Sequence, residues 1–368
     1  MASWRRSAFI LVTIILSAAC ALHWLSARPY RRPLLAPVRP VEPAPRLAVV
    51  APPPSLSAAA SARLDADAGA VPAPVAVVRV STPPFEYTDN YLLVGLDRRP
   101  FGGGAGLSDT ILVAVFDEPN DALGLVSIPR DLWVEIPGHS AERINTVMNV
   151  ARRSGEEPLA LLGRVVENTL GLPISHSVAI DLGVFERAVD ALGGVTVDVP
   201  CPIVDRFLDP RDASGYRKLD LPAGAARLDG VTAAMYARSR HGRSDFSRAR
   251  RQQAILVAMR RELSQVSSFA RLPALLGSFE DAIETDLSRA ELLGLAQRLL
   301  RVPPAHLHGL VLGVEQVSAM RAAGGKAVLS PKPDAINDAL NQLFSAPSPG
   351  RAQVGSVCPK ADVALGSG

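Results

Sequence analysis

The stretch from Asp229 to Gln253, DGVTAAMYARSRHGRSDFSRARRQQ, brings Arg238, Arg240, Arg243, Arg248, Arg250 and Arg251 into one short region of helical composition. Asp229 can cap a first helix whose last turn carries Arg238 and Arg240, and Asp245 or Ser247 can cap a second. On that second helix Arg248 and Gln252 stand four apart, so they share a face, with Arg251 beside them. Guanidiniums are forked and permanently charged, and several converging from two helices suit a phosphate better than other common ligands. A solvated basic face or a nucleic-acid patch is the plainer reading of an arginine run. Three residues earlier in the chain weigh against it. Asp97 closes the apolar run YLLVGL, Asp109 opens the strand-like DTILVAVF, and Arg130 follows a third apolar run in SIPRD. If those three strands run up, down and up, all three residues emerge at one edge of the sheet. Each aspartate alone reads equally well as a turn cap. Together with the arginine they form a seat for a metal-bound phosphate.

Other chemistries lack their residues. The loop Gly102-Gly103-Gly104 has no GK[ST] ending, and the chain contains neither GxSxG nor HExxH. His139, His176, His241, His306 and His308 are scattered, which gives no support to histidine acid–base catalysis. Magnesium prefers one or two carboxylates plus phosphate oxygens, so Asp97 and Asp109 are the candidate metal ligands and Mg²⁺ the expected cofactor. Phosphoryl transfer needs mainly positioning and charge neutralisation, which arginines and Mg²⁺ supply together.

The elements that must place these residues follow an alternating order. Beyond the three strands, helices are predicted over Glu157–Leu170 and Val184–Leu192, stopped by Gly171 and Gly193-Gly194, with strands at Ser175–Ile180 and Val195–Val199. Pro200–Pro222 reads as an irregular lid or rim loop. After the arginine helices, Ile255, Leu256 and Met259 are expected to bury against the sheet. Helices over Leu272–Phe279 and Ser288–Leu300, strands at Leu310–Leu312 and Ala327–Ser330, and a helix over Asp334–Phe344 complete the pattern. Mixed order of this kind predicts an α/β fold, a layered α-β-α domain with helices on both faces of a central mixed sheet.

Composition places this domain, residues 85–345, at the end of a tether. Residues 8–26 form an uncharged apolar run long enough to span a bilayer, after a short N-terminus, residues 1–7, with Trp4, Arg5 and Arg6. A signal anchor with a cytoplasmic N-terminus and the bulk outside is the expectation. A cleaved signal peptide, with Ser17-Ala18-Ala19 at the cleavage site, and lipidation at Cys20 are the alternatives. Residues 27–84 hold many of the chain's 31 prolines and read as an extended disordered Pro/Ala-rich linker; residues 346–368 read as a loose tail. The net charge of +3 is mild, so basic character is local and the whole molecule is not a polyanion binder. With Cys20 in the apolar segment, Cys201 and Cys358 remain as a candidate pair in an oxidising compartment. ATP is scarce on the outer side of a membrane, which favours a lipid-linked pyrophosphate as the donor.

Taken together, YLLVGLDRR, SDT, VSIPRDLWV, RIN and DGVTAAMYARSRHGRSDFSRARRQQ resemble the LytR-CpsA-Psr family of membrane-anchored enzymes of bacterial cell-envelope assembly. The likeness covers roughly Tyr91 to Leu263 and continues loosely to Phe344. The resemblance implies transfer of a glycopolymer from a polyprenyl-pyrophosphate carrier to a sugar hydroxyl, typically on peptidoglycan. A phosphodiester forms and polyprenyl phosphate leaves. It implies Mg²⁺ on Asp97 and Asp109, and pyrophosphate on Arg130, Arg238 and Arg240, with Arg248 and Gln252 completing the set and Arg99 matching the arginine of a D-x-R. It also implies an apolar slot for the polyprenyl tail, consistent with the Leu/Val/Ala-rich helix at Leu159–Leu170. The implied place is the cytoplasmic membrane, single-pass, with the catalytic domain extracytoplasmic and no nucleic acid as partner. Many members carry arginine immediately before SDT, where this chain has Leu107. The general base stays open between Asp97 and Asp131. A polyprenyl-pyrophosphate hydrolase and a non-enzymatic lipid-binding or regulatory module are the competing readings.

Overall fold

The computed structural model describes residues 85–97, 106–209, 212, 214–239, 245–264 and 283–349. These lie in the second of the two units into which the chain divides, Ala68–Gly368. The membrane segment, the linker, the glycine-rich loop with Arg99, residues 240–244 with Arg240, the helix expected at Leu272–Phe279 and Cys358 lie outside the described residues. Among the described residues no helix is long and apolar enough to cross a membrane.

Three strands open the domain: β1 (Thr88–Asp97), β2 (Leu107–Asp117) and β3 (Ala122–Ile128). They pair antiparallel in sequence order, with Val94 opposite Ile111 and Ile111 opposite Ile128. Short strands β4 (Trp133–Val134) and β5 (Glu142–Arg143) pair next, and helix α1 (Val147–Ser154) follows. Helix α2 (Pro158–Leu170) is capped by Glu157, which accepts from the Ala160 amide, and stopped by Gly171 at φ 69°, a left-handed value that favours glycine. Strand β6 (His176–Asp181) runs parallel to β1, and Asp181 caps α3 (Leu182–Ala191).

The chain then builds a lobe of its own. Strand β7 (Val195–Val199) is followed by β8 (Ile203–Leu208) and β9 (Tyr216–Leu221), an antiparallel hairpin; β10 (Gly224–Leu228) returns to pair with β7. The expectation of an irregular loop over Pro200–Pro222 is therefore corrected. Alternation is present in IVDRFL and YRKLDL, but with charged residues on the outer face it lacks the apolar run that marks the central strands. Helices α4 (Gly230–Arg238) and α5 (Asp245–Leu263) are the two arginine helices. Strand β11 (Ile283–Thr285), helix α6 (Arg289–Arg301) with its Ser288/Glu291 capping box, and β12 (Leu307–Val311) follow. Strands β13 (Val317–Arg321) and β14 (Ala327–Pro331) form a hairpin before α7 (Pro333–Asn341).

Among the described residues the central sheet has the order β11-β6-β1-β2-β3-β12 and is mixed, as expected. Alternate side chains go to opposite faces. Val94, Ile111, Val113 and Val126 pack on one face with α1, α2 and α7; Tyr91, Leu112, Phe116 and Leu123 pack on the other with α6 and with Leu256 of α5. Ile255 and Met259 point instead into the core of the β7–β10 lobe, so α5 is shared between two cores. In that lobe the amide of Gly230 donates to Asp190, and a Cβ at Gly230 would stand 2.1 Å from the Glu186 carbonyl oxygen. Only glycine allows α4 to come this close to α3.

Candidate functional site

At the C-terminal edge of β1 and β3 the strands deliver the charged residues to one rim. Gly95 pairs with Thr110 but Leu96 with Ser108, so Asp109 is the extra residue of a β-bulge. Ser108 and Ile111 are three apart and would face opposite ways in a regular strand. Here both join the same core, with the Ser108 hydroxyl on Met148 Sδ at 3.2 Å. The bulge that allows this leaves Asp109 free to turn toward the next strand. Arg130 meets it there: its Nη1 donates to Asp109 Oδ1 at 2.8 Å.

The backbone under Arg130 is pinned on both sides. Its carbonyl accepts from the Asn145 amide at 3.2 Å, and the Asp131 carbonyl accepts from the Leu329 amide at 2.9 Å. The Nε edge of the guanidinium lies 3.4 Å from Asp245 Oδ2 and 3.7 Å from Asp131 Oδ2, and this buried nitrogen makes no hydrogen bond. Asp245 is the first residue of α5, and its Oδ1 stands 3.6 Å from Arg248 Nη1. Asp131 is also 3.6 Å from Arg143 Nε.

These contacts set the charge states. Burial alone would lower the pKa of Arg130, but the hydrogen bond to Asp109 and the charges of Asp109, Asp245 and Asp131 outweigh it and raise the pKa. Arg248 is held below the usual arginine value, chiefly by burial. The Asp131 carboxyl is pushed up, first by burial and further by the Asp245 carboxylate beside it, although Arg130 and Arg143 pull the other way.

Helix α5 is tied to the sheet by Gln253, whose amide nitrogen shares its two N–H donors among Leu125 O at 3.0 Å, Ser127 Oγ at 2.9 Å and Leu310 O at 3.0 Å. Arg251 turns away from the rim and donates to the carbonyls of Tyr236 and Ser239. The remaining face of the helix closes a cleft of about 310 Å³, open mouth included, lined by Asp109, Arg130, Asp245, Arg248 and Gln252 on the polar side and by Ile111, Ile128, Phe246 and Val311 on the apolar side.

Four of the expected site residues, Asp109, Arg130, Arg248 and Gln252, thus meet around one cleft. Asp97 ends β1 opposite Leu107, at the same edge of the sheet. Arg238 is not among the lining residues of that cleft; its guanidinium carbon lies 5.2 Å from the centre of the Phe207 ring on the β8–β9 hairpin, and its buried Nε makes no hydrogen bond. Arg99 and Arg240 lie outside the described residues. On α2, Leu161, Leu162, Val165, Val166 and Leu170 are fully buried. Asp245 was read only as a helix cap. Its place three residues before Arg248 on the same helix face was the available signal. Among the described residues no three His, Cys, Asp or Glu side chains cluster closely enough to hold a metal ion unaided.

The model of the LytR_cpsA_psr family matches residues 67–344. The chain belongs to that family. Among curated relatives, the polyisoprenyl-teichoic acid–peptidoglycan teichoic acid transferase TagV of Bacillus subtilis is 30% identical over 223 residues, 60% of this chain and 54% of that protein. The corresponding transferase TagU of Oceanobacillus iheyensis is 30% identical over 205 residues, 55% of this chain and 60% of that protein. The chain thus spans between half and two thirds of the length of these relatives. The crystal structure of B. subtilis TagV superposes with a TM-score of 0.56 at 25% identity, over 71% of this chain and 98% of TagV. TagT bound to LIIa-WTA shares the fold at 23% identity, with a TM-score of 0.56 over 74% of this chain and 95% of TagT. The LytR-CpsA-Psr domain and its mixed α/β architecture are therefore as expected from the residues.

Proposed function

We propose that this LytR-CpsA-Psr protein transfers a glycopolymer from a polyprenyl-pyrophosphate carrier to a sugar hydroxyl of peptidoglycan, forming a phosphodiester and releasing polyprenyl phosphate. The observation that carries the reading is the Arg130–Asp109 contact at the mouth of a cleft shared with Arg248 and Gln252. A guanidinium with an unsatisfied buried Nε–H, next to a second buried guanidinium, is suited to a diphosphate. The apolar wall of Ile111, Ile128, Phe246 and Val311 suits the first isoprene units of a carrier. Two relatives carry names that describe teichoic acid transfer to peptidoglycan, which favours this substrate class.

The donor set fits a hard cation. Asp109 faces the cleft and Asp97 ends the neighbouring strand, and magnesium commonly takes one or two carboxylates and completes its shell with water and substrate phosphate. Bound there, Mg²⁺ would neutralise charge on the phosphates. The protein's own part is to hold the diphosphate on Arg130 and Arg248, orient it through Gln252, and keep Arg130 in place through Asp109. Arg238, Arg240 and Arg99 remain proposed partners of the phosphates. We place the domain outside the cytoplasmic membrane, anchored by residues 8–26; a disulfide at Cys201, consistent with an oxidising compartment, supports this.

The test uses the full-length chain in detergent with Mg²⁺, a pyrophosphate-linked donor and a glycan acceptor. Polyprenyl phosphate released together with a cross-linked product is the expected outcome. Polyprenyl phosphate without that product would mean hydrolysis, and donor binding without turnover would mean a lipid-binding module.

A further inference from the structure

The face of β3 that carries Leu123 and Leu125 ends at a polar residue, Ser127, while Val126 and Ile128 go to the opposite core. Ser127 is 3% exposed and stands on the wall of the cleft, on the strand that leads to Arg130. Its hydroxyl oxygen accepts from Gln253 Nε2 at 2.9 Å. The Leu125 and Leu310 carbonyls, each 3.0 Å from the same nitrogen, fix which end of the amide faces the sheet. An amide nitrogen can only donate, so Ser127 is the acceptor of this pair and its own hydrogen points elsewhere. Among the described residues that hydrogen meets no acceptor. Gln253 does not depend on Ser127 either, because the two carbonyls suffice for its two amide hydrogens. Thr110, the other hydroxyl on the wall, is part-exposed and open to solvent.

We propose that the Ser127 hydroxyl donates to an oxygen of the carrier-side phosphate and so stabilises polyprenyl phosphate as the leaving group. This role rests on the transfer proposed above. The neighbours of Ser127 select the phosphate. Val311 pairs with it across β3 and β12, Ile128 follows it in the chain, and both belong to the apolar wall. Asp109 and Arg130 stand at the rim instead. A donor whose tail runs along the apolar wall therefore sets its carrier-side phosphate against Ser127 and its sugar-side phosphate against the arginines. The hydroxyl is already held by Gln253, so it reaches a developing negative charge without first giving up a protein partner.

Ser127 gains and loses no proton in this step. The bond from the sugar-proximal phosphorus to the bridging oxygen breaks, and its electron pair leaves with polyprenyl phosphate. The acceptor oxygen bonds to that phosphorus, and its proton passes to solvent. Charge grows on the carrier-side phosphate as the bridge breaks, so a hydrogen bond there is stronger in the transition state than in the bound donor.

The experiment compares the full-length wild type with Ser127→Ala and Ser127→Thr, in detergent with Mg²⁺. It measures the affinity for polyprenyl phosphate and for the uncharged polyprenol, and kcat for transfer from a pyrophosphate-linked donor to a soluble glycan strand. Ser127→Ala is expected to bind polyprenyl phosphate roughly tenfold or more weakly, the loss that follows when a hydrogen bond to a charged group is removed. Its affinity for polyprenol should stay that of the wild type, and kcat should fall at least about tenfold. Ser127→Thr keeps the hydroxyl and should recover most of both losses. The melting midpoint of Ser127→Ala should stay well above that of Gln253→Leu, since the two carbonyls still hold the amide. Equal affinity of Ser127→Ala and wild type for polyprenyl phosphate overturns the role. So does an equal loss for polyprenol, the pattern of a residue that only shapes the wall, or a midpoint as low as that of Gln253→Leu, the pattern of one that only anchors α5. In those cases wild-type transfer leaves the functional reading standing; a wild type that neither binds polyprenyl phosphate nor transfers overturns both.

Discussion

Arg130 makes one short contact and two long ones, and the difference explains what it is for. Asp109 at 2.8 Å fixes one arm of the guanidinium, while Nε has two carboxylates near it and a hydrogen bond to neither. A buried donor left unsatisfied costs about 1–3 kcal/mol, which a phosphate oxygen would offset. Arg130→Lys keeps the charge and loses the fork, so kcat should fall by about 10²-fold or more, with Asp109→Ala at least as severe. Wild-type turnover by both variants would show that the cleft is not where the chemistry happens. Asp131 gives a stability prediction of definite sign. Its folded-state pKa is raised, so its contribution to stability is present below the usual carboxylate range and lost as pH rises through the raised value. Asp131→Asn should therefore raise the melting temperature of the donor-free chain at pH 7 and make little difference near pH 3. Melting curves at the two pH values check this, and a lower midpoint at neutral pH would contradict it.

Among the elements, α5 matters most, because it carries Asp245, Arg248 and Gln252 on one face and is held by Gln253 on the other. Gln253→Leu leaves the Leu125 and Leu310 carbonyls without this donor, and the expected loss is about 1–3 kcal/mol in denaturant unfolding. The β8–β9 hairpin acts on the other arginine helix, with Phe207 under Arg238 and Asp205 accepting from the Ser239 hydroxyl at 2.8 Å. If Arg238 serves the donor, Phe207→Ala should raise donor KM several-fold with little change in kcat, as expected when binding common to ground and transition states is lost. An unchanged KM would remove Arg238 from the phosphate set. The three central strands and α2 were legible because long apolar runs between glycine and aspartate stops leave little choice of element. Strands β8, β9 and β13 were not, since their alternation is diluted by charged residues on an exposed face. The rim itself was readable: the up-down-up order of β1–β3 already brings Asp97, Asp109 and Arg130 to one edge. What no sequence period could give is the bulge at Asp109, or the turn of Arg238 toward Phe207.

For the molecule as a whole, a sheet covered on both faces leaves its charged rim as the place where a ligand can meet several strand ends and a helix start at once. Among the described residues, Arg130 and Arg248 are each near an aspartate there, so each positive charge has a negative one beside it. A diphosphate entering the cleft adds negative charge, which is why we propose a divalent cation on Asp109 and Asp97. Removal of Mg²⁺ by chelation should abolish turnover and restoring it should recover the activity; activity that survives chelation would take both aspartates out of a metal role. The most direct measurement of the central claim is release of polyprenyl phosphate by the full-length chain, wild type against Arg130→Ala, with Mg²⁺, a pyrophosphate-linked donor and a glycan acceptor. The account predicts release coupled to a cross-linked product in the wild type and a loss of at least about 10²-fold in the variant. Equal release from both chains would contradict it.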